Sequence, residues 1–268
     1  MKCDNCELTF ANKMPSSKEL DIYYSSGLYY EIVSNPYQND IIEFSIKLAK
    51  TRLELIDKKT NGNGFKNVLD IGAGNAQFGK ALLYKFPNSN YDAVEPDTEV
   101  SNQWGNWVRN RFEGIDQIKG KSYNLIILNQ VLEHVNKPIE FLQSINRFLK
   151  QDGYLYIDVP FQDYVFKPSV EPHLLFWNKQ SLSILLEKVG CKTLFCDTAG
   201  MPHHIAKIFF SDQPFTQKIT NPWLYKGKIN GLISRYGFVK PFDTFKQFQA
   251  DHYGGDRQWL RCIAQKVD

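Results

Sequence analysis

Nowhere in this 268-residue chain is there a run approaching the roughly 18 apolar residues that span a bilayer, and Met1 to Phe10 lacks the apolar segment of a secretory leader. A cytosolic protein with no membrane span is predicted. Net charge is nearly absent: 32 Lys and Arg against 29 Asp and Glu leave +3, with no clustered basic stripe, which argues against a nucleic-acid partner. There is no internal repeat and no low-complexity tract. Cysteine is scarce, and its odd count of five excludes a fully paired disulfide framework. Cys191, Cys196 and Cys262 stand in alternating apolar runs and are predicted to be buried thiols. The 43% hydrophobic content suits one sizeable α/β domain with an elaboration.

Strand and helix signals alternate through the middle of the chain. Asn67–Ile71, Tyr91–Pro96, Tyr123–Leu128, Gly153–Pro160 and Cys191–Asp197 read as strands, with a short, weak one in 111–118. Between them, Ala76–Tyr84, Pro138–Leu149 and Ser181–Val189 have helical spacing, as does 40–57 upstream. This rhythm predicts βαβ units in a Rossmann-like, seven-stranded, mainly parallel sheet. The last strand is predicted at Gln258–Val267, antiparallel, with a substrate-side insertion at 198–257 before it; a competing assignment puts it at His204–Phe210. Residues 1–64 then form an N-terminal lid, 65–197 the core and 258–268 its last strand.

The stretch VLDIGAGNAQFG, residues 68–79, joins a strand to a helix through a glycine turn, where open α/β sheets bind nucleotide-type cofactors. It is not a dinucleotide fingerprint. Gly72 and Gly74 are present, but the third glycine of GxGxxG is replaced by Gln77. Asp70 ends the strand, and Glu95 ends the next one, where a carboxylate can accept both hydroxyl protons of a ribose. Asp70 suits a cofactor carrying ammonium and sulfonium charge in place of phosphate.

Together with YDAVEPD, YNLIILNQVLEHV and FLKQDGYLYIDVP, this stretch resembles the class I S-adenosylmethionine-dependent methyltransferases over roughly residues 65–197. The resemblance implies S-adenosylmethionine as cofactor. It places the methionine part along Asp70, Gly72, Ala73 and Gly74, with Phe78 beside them, the ribose on Glu95 and Pro96, the adenine amino group at Asp116, and the reacting methyl near Asn129 and Gln130. The family often has glycine where this chain has Ala76. The Asn/Asp-Pro-Pro-aromatic element of base-methylating families is replaced by NQVL.

The flanks carry a second resemblance, to bacterial methyltransferases of surface-sugar pathways. CDNCELTF resembles the end of their zinc-ribbon knuckle, of which Cys3 and Cys6 are half a site; Tyr23, Tyr24, Tyr29 and Tyr30 follow as a lid, or as simple packing. Their substrate-covering loop resembles the stretch around His173 in VEPHLLFW. Gln130, Glu133 and His134 have i, i+3, i+4 spacing and in a helix would share one face. Quinone-pathway O-methyltransferases resemble this with Glu, Glu, His and hold a divalent metal there; Gln130 removes a charge, so no metal is expected. His173 or His134 is the expected proton acceptor, with Glu133 orienting His134. The expected reaction is O-methylation of a sugar or nucleotide sugar in a capsule or lipopolysaccharide pathway. Alternatives are a small-molecule or quinone-precursor O-methyltransferase, an aminosugar N-methyltransferase, and a cofactor-binding partner without activity.

Overall fold

The computed structural model describes residues 1–25, 38–60, 62, 64–167, 169–170, 172–210 and 250–267. In chain order the strands are β1 (Thr9–Phe10), β2 (Asn67–Ile71), β3 (Asn90–Val94), β4 (Asn110–Phe112), β5 (Tyr123–Asn129), β6 (Leu149–Pro160), β7 (Leu175–Phe176), β8 (Cys191–Pro202) and β9 (Arg257–Lys266). The α-helices are α1 (Ser17–Ser25), α2 (Gln38–Lys59), α3 (Gln77–Lys85), α4 (Thr98–Ser101), α5 (Pro138–Asn146), α6 (Lys179–Lys188) and α7 (His203–Phe210).

Seven strands form one sheet in the order β4-β3-β2-β5-β6-β9-β8. β2, β3, β4, β5 and β6 pair in parallel, and β9 enters antiparallel between β6 and β8. The chain's strand order reverses at β2, so a crevice opens beyond the carboxyl ends of β2, β3 and β5. The central strands are apolar on both faces because both are covered by helices. Leu69, Ile126 and Leu128 face one core layer with Leu142, Ile145, Leu182 and Leu186 of α5 and α6. Val68, Leu125 and Ile127 face the other, with Leu53 and Ile56 of α2 and Leu82 of α3. Among the described residues no helix is long and apolar enough to cross a membrane.

The expected last strand at 258–267 is present as β9. The competing strand at His204–Phe210 is overturned: this segment is helix α7. The helix expected to run to Leu149 stops at Asn146, because Leu149 already pairs with Tyr123 and opens β6. Of the three predicted buried thiols, Cys191 and Cys262 are buried, whereas Cys196 is half-buried. Most of the expected insertion, and Tyr29 and Tyr30, lie outside the described residues.

Candidate active site

β2 ends in a turn whose backbone only small residues tolerate. Gly72 has φ +69°, and a Cβ there would stand 2.6 Å from Val131 Cγ2. The Gly72 and Ala73 amides both donate to the Val94 carbonyl, so the turn is hung from the end of β3. Gly74 N–H donates to Glu95 Oε2 at 2.8 Å, Asp97 N–H to Glu95 Oε1 at 3.1 Å, and Trp104 Nε1 to the Gly74 carbonyl at 2.8 Å. Ala76 is held at φ +51°, the left-handed conformation that explains why glycine suits this position. Gly79 lets α3 lie against β3, since a Cβ there would be 2.5 Å from the Tyr91 ring.

Over this turn lies a cavity of about 1010 Å³, at the upper end of the range for small-molecule and cofactor sites. Asp70, Gly72, Ala73, Gly74 and Phe78 line it from β2 and α3. Glu95, Pro96 and Asp116 line it from the β3 side, Asn129 and Gln130 from the end of β5. All ten residues expected to hold the cofactor therefore meet at one cavity. Of the expected lid tyrosines, Tyr24 of α1 lines it together with Leu20, while Tyr23 does not and packs edge-on against Tyr24 at 5.1 Å.

The cavity offers oxygen acceptors where the amino end of a methionine would lie. Asp70 Oδ2 accepts from Tyr91 OH at 2.6 Å, while Oδ1 is buried without a hydrogen bond among the described residues, as are Asn129 Oδ1 and Gln77 Oε1. Such acceptor-only oxygens fit an ammonium. Burial, helped by the charge of Glu95, pushes the Asp70 carboxyl up to about 7.

Sequence reasoning missed Arg52. It lines the same cavity from α2, and its Nε donates to Asp158 Oδ2 at 2.7 Å. Arg261 Nε donates to the same oxygen at 2.9 Å and Tyr156 OH at 3.1 Å. Burial raises the Asp158 carboxyl, but the two guanidiniums outweigh it and hold it below the usual carboxylate range. A charged residue in helical phase with Leu48, Ala49 and Ile56 was the available signal.

The acceptor side differs from expectation. Gln130 does not share a helical face with Glu133 and His134: it takes φ +58°, and only Leu132–His134 form a single 3₁₀ turn. Its Nε2 donates to the carbonyl and to Oδ1 of Asp158, at 3.2 and 3.1 Å. His134 lines the cavity; Glu133 and His173 do not, but stand behind it. The His134 and His173 rings are 5.0 Å apart, and His134 Nε2 is 3.6 Å from Glu133 Oε1. Asp163, a second residue sequence reasoning missed, puts Oδ2 2.8 Å from His173 Nδ1, an ion-pair contact without hydrogen-bond alignment. Burial, reinforced by His173, pushes His134 down to about 3, so its imidazole is neutral at pH 7. Burial likewise pushes the Glu133 carboxyl well above its ordinary range, with Asp158 and Asp163 acting the same way against its own amide and Lys167.

A crevice at the switch point of this sheet, with a glycine turn, an acidic residue ending each of two neighbouring strands and no phosphate fingerprint, defines the class I methyltransferase fold, whose methyl donor is S-adenosylmethionine. Residues 46–194 match the model of a methyltransferase domain family, more than half of the chain, and the protein belongs to that family. It is 25% identical over 122 residues to the malonyl-[acyl-carrier protein] O-methyltransferase of Halalkalibacterium halodurans, covering 41% of this chain and 45% of that one. It is 27% identical over 121 residues to the ubiquinone biosynthesis O-methyltransferase of Actinobacillus pleuropneumoniae, covering 41% and 52%. The chain thus spans about half the length of these curated relatives. Among solved structures, the plantazolicin methyltransferase BpumL in complex with S-adenosylhomocysteine superposes with TM-score 0.55 at 15% identity, covering 93% of this chain and 94% of that one. A SAM-dependent methyltransferase from Archaeoglobus fulgidus gives 0.54 at 16%, covering 87% and 100%. These likenesses show the fold alone.

Proposed function

We propose that the protein is a cytoplasmic O-methyltransferase that moves the methyl group of S-adenosylmethionine to a hydroxyl of a small molecule, and that this hydroxyl belongs to a sugar or nucleotide sugar of a surface-polysaccharide pathway. The observation that supports the reading is a single cavity lined by all ten residues expected to bind the donor and, away from them, by His134. Glu95 would take the ribose hydroxyls and Asp116 the adenine amino group. Asp70, Asn129 and Gln77 would take the ammonium, and Arg52 the carboxylate. When bound, the donor supplies a methyl group on a sulfonium, an electrophile open to in-line displacement.

The chain's own part is then to hold the hydroxyl at near-attack distance, about 3 Å, and to exclude water. Tyr24 covers the cavity from α1, and its ring meets His134 edge-on at 5.7 Å. His134, reaching the cavity in the neutral form, accepts a hydrogen bond from the hydroxyl; His173 and Glu133 act through it. Sugar rests on the resemblance at Cys3–Cys6 and around His173. The likeness to the ubiquinone biosynthesis relative favours a second reading, a phenolic quinone precursor as acceptor.

Calorimetry with S-adenosylhomocysteine and NAD, followed by methyl-transfer assays on nucleotide sugars and on catechol-type phenols, tests both. Binding of S-adenosylhomocysteine but not NAD, and transfer to a nucleotide sugar, is the expected result. Transfer to phenols alone replaces the acceptor, and binding without transfer to either makes the chain a cofactor-binding partner. Absence of S-adenosylhomocysteine binding overturns the reading as a whole.

A further inference from the structure

Glu133 poses a problem that methyl transfer leaves open. Its side chain is 1% exposed, and neither carboxylate oxygen has a hydrogen bond among the described residues. A buried carboxyl without partners costs several kcal/mol unless a proton or another cation accompanies it. What surrounds it is not apolar. Ligand-capable atoms of Glu133, His134 and His173 all lie within 4.8 Å of one another.

The two imidazoles are held as ligating imidazoles are held elsewhere. His134 directs Nδ1 toward the Pro172 carbonyl at 3.4 Å, which turns Nε2 toward Glu133 Oε1 at 3.6 Å. His173 directs Nδ1 toward the fully buried Asp163, itself paired with Lys167 Nζ at 2.8 Å. An oxygen stands behind each ring, the Pro172 carbonyl at His134 and the Asp163 carboxylate at His173, as carboxylates and carbonyls stand behind metal-ligating imidazoles elsewhere. Four tetrahedral ligands at 2.0–2.1 Å from a metal stand about 3.4 Å apart. The Glu133–His134 separation of 3.6 Å is already close to that, and the widest separation, within 4.8 Å, has roughly 1.4 Å at most to close by side-chain rotation.

We propose that Glu133, His134 and His173 bind a first-row divalent cation, with Asp163 as the positioning residue behind His173. Two neutral nitrogens and one carboxylate, without thiolate, favour Zn²⁺ and its neighbours over Mg²⁺, which demands an octahedral oxygen shell. No metal is expected from the spacing of Gln130, Glu133 and His134; the set proposed differs from that spacing, because Gln130 turns away to Asp158 and His173 arrives from the loop before β7. Since only His134 of the three lines the cavity, a cation held there stands between the cavity and the buried carboxyl. The inference rests on the geometry of this cluster and not on which acceptor the enzyme takes, but it does bear on His134: an Nε2 that coordinates a cation takes no proton.

The test uses the full chain carrying Cys3→Ser and Cys6→Ser, so that these thiols do not contribute, stripped with chelator and titrated with Zn²⁺ and Co²⁺. One Zn²⁺ per chain is expected, with visible Co²⁺ bands and no thiolate charge-transfer band. Glu133→Gln and His173→Ala should each weaken Zn²⁺ at least tenfold, and Asp163→Asn about tenfold. Retained S-adenosylhomocysteine binding in calorimetry shows that each variant is folded. Should a variant fail to fold, the Zn²⁺-dependent rise in Tm of the parent, reduced in Asp163→Asn, serves in its place. Unweakened Zn²⁺ binding by folded variants, a thiolate band, or no stoichiometric binding by the parent overturns the proposal. Loss of S-adenosylhomocysteine binding in a parent that still binds Zn²⁺ would instead strike the methyltransferase reading and leave the metal site standing.

Discussion

The two ends of the cavity are built in different ways. The donor end is centred on a backbone object: one turn after β2, hung by amide hydrogen bonds from Val94 and Glu95, with side chains brought to it by α2, β3 and β5. The acceptor end is a side-chain object, assembled from the turn after β5, the loop around Asp163 and His173, and α1. A turn that recognises a constant cofactor is fixed by main-chain geometry, whereas an end that must fit one acceptor is free to vary with its loops.

Substitutions should separate the two ends. The largest effect is expected at the floor they share: Asp158→Ala leaves Arg261 buried without its counter-charge and should cost about 3–5 kcal/mol in denaturant unfolding. A loss under 1 kcal/mol would show that the floor is not held by charge. At the acceptor end, His134→Ala should lower turnover about 100-fold or more and leave S-adenosylhomocysteine affinity unchanged. Equal losses in both would erase the division. At the donor end, Glu95→Gln should weaken S-adenosylhomocysteine by roughly tenfold or more in calorimetry, without changing acceptor KM once donor saturates.

A pH titration sharpens the donor end further. Ionised Asp70 pairs with an ammonium, so donor affinity should rise up to about tenfold per unit between pH 6 and 7, flatten above, and lose this slope in Asp70→Asn. The stability of the donor-free chain should move oppositely. From the ordinary carboxylate range up to about pH 7 the folded chain keeps a proton that the unfolded chain has released, so Asp70 makes stability fall as pH rises through this window. The smallest effect belongs to Ala76→Gly, which relieves a left-handed alanine and should add about 0.5–1 kcal/mol of stability; a destabilised variant would show that the methyl group packs for more than its backbone costs.

What was legible in the sequence follows the same division. β2, the glycine turn, Glu95 and the antiparallel β9 could be read because each is set by neighbours within a few residues or by simple alternation. Gln130 was misplaced because helical spacing says nothing of a single residue turned to φ +58°, which points its amide at Asp158. Leu149 was read as helix since it keeps phase with Leu142 and Ile145, and only pairing with Tyr123 shows that it opens a strand. Arg52, Asp158 and Arg261 meet across more than a hundred residues of sequence. Asp158 and Arg261 were visible as lone charges in apolar segments and Arg52 as a charge in phase with apolar residues, but none as a partner of the others. The Asp163–His173 contact was hidden for a like reason, since nothing in a loop's spacing says which of its side chains turn inward.

The placing of β9 has a consequence for how the protein comes into being. Arg261 reaches Asp158 only after this strand has slid between β6 and β8, two partners made long before it. During synthesis the glycine turn and its neighbours can exist early, and Arg52 can already meet Asp158, yet the second guanidinium on that oxygen arrives only when Arg257–Lys266 has left the ribosome. The closing of the sheet therefore belongs to the end of folding, and a nascent chain halted before Arg257 would leave β6 and β8 without the strand that joins them.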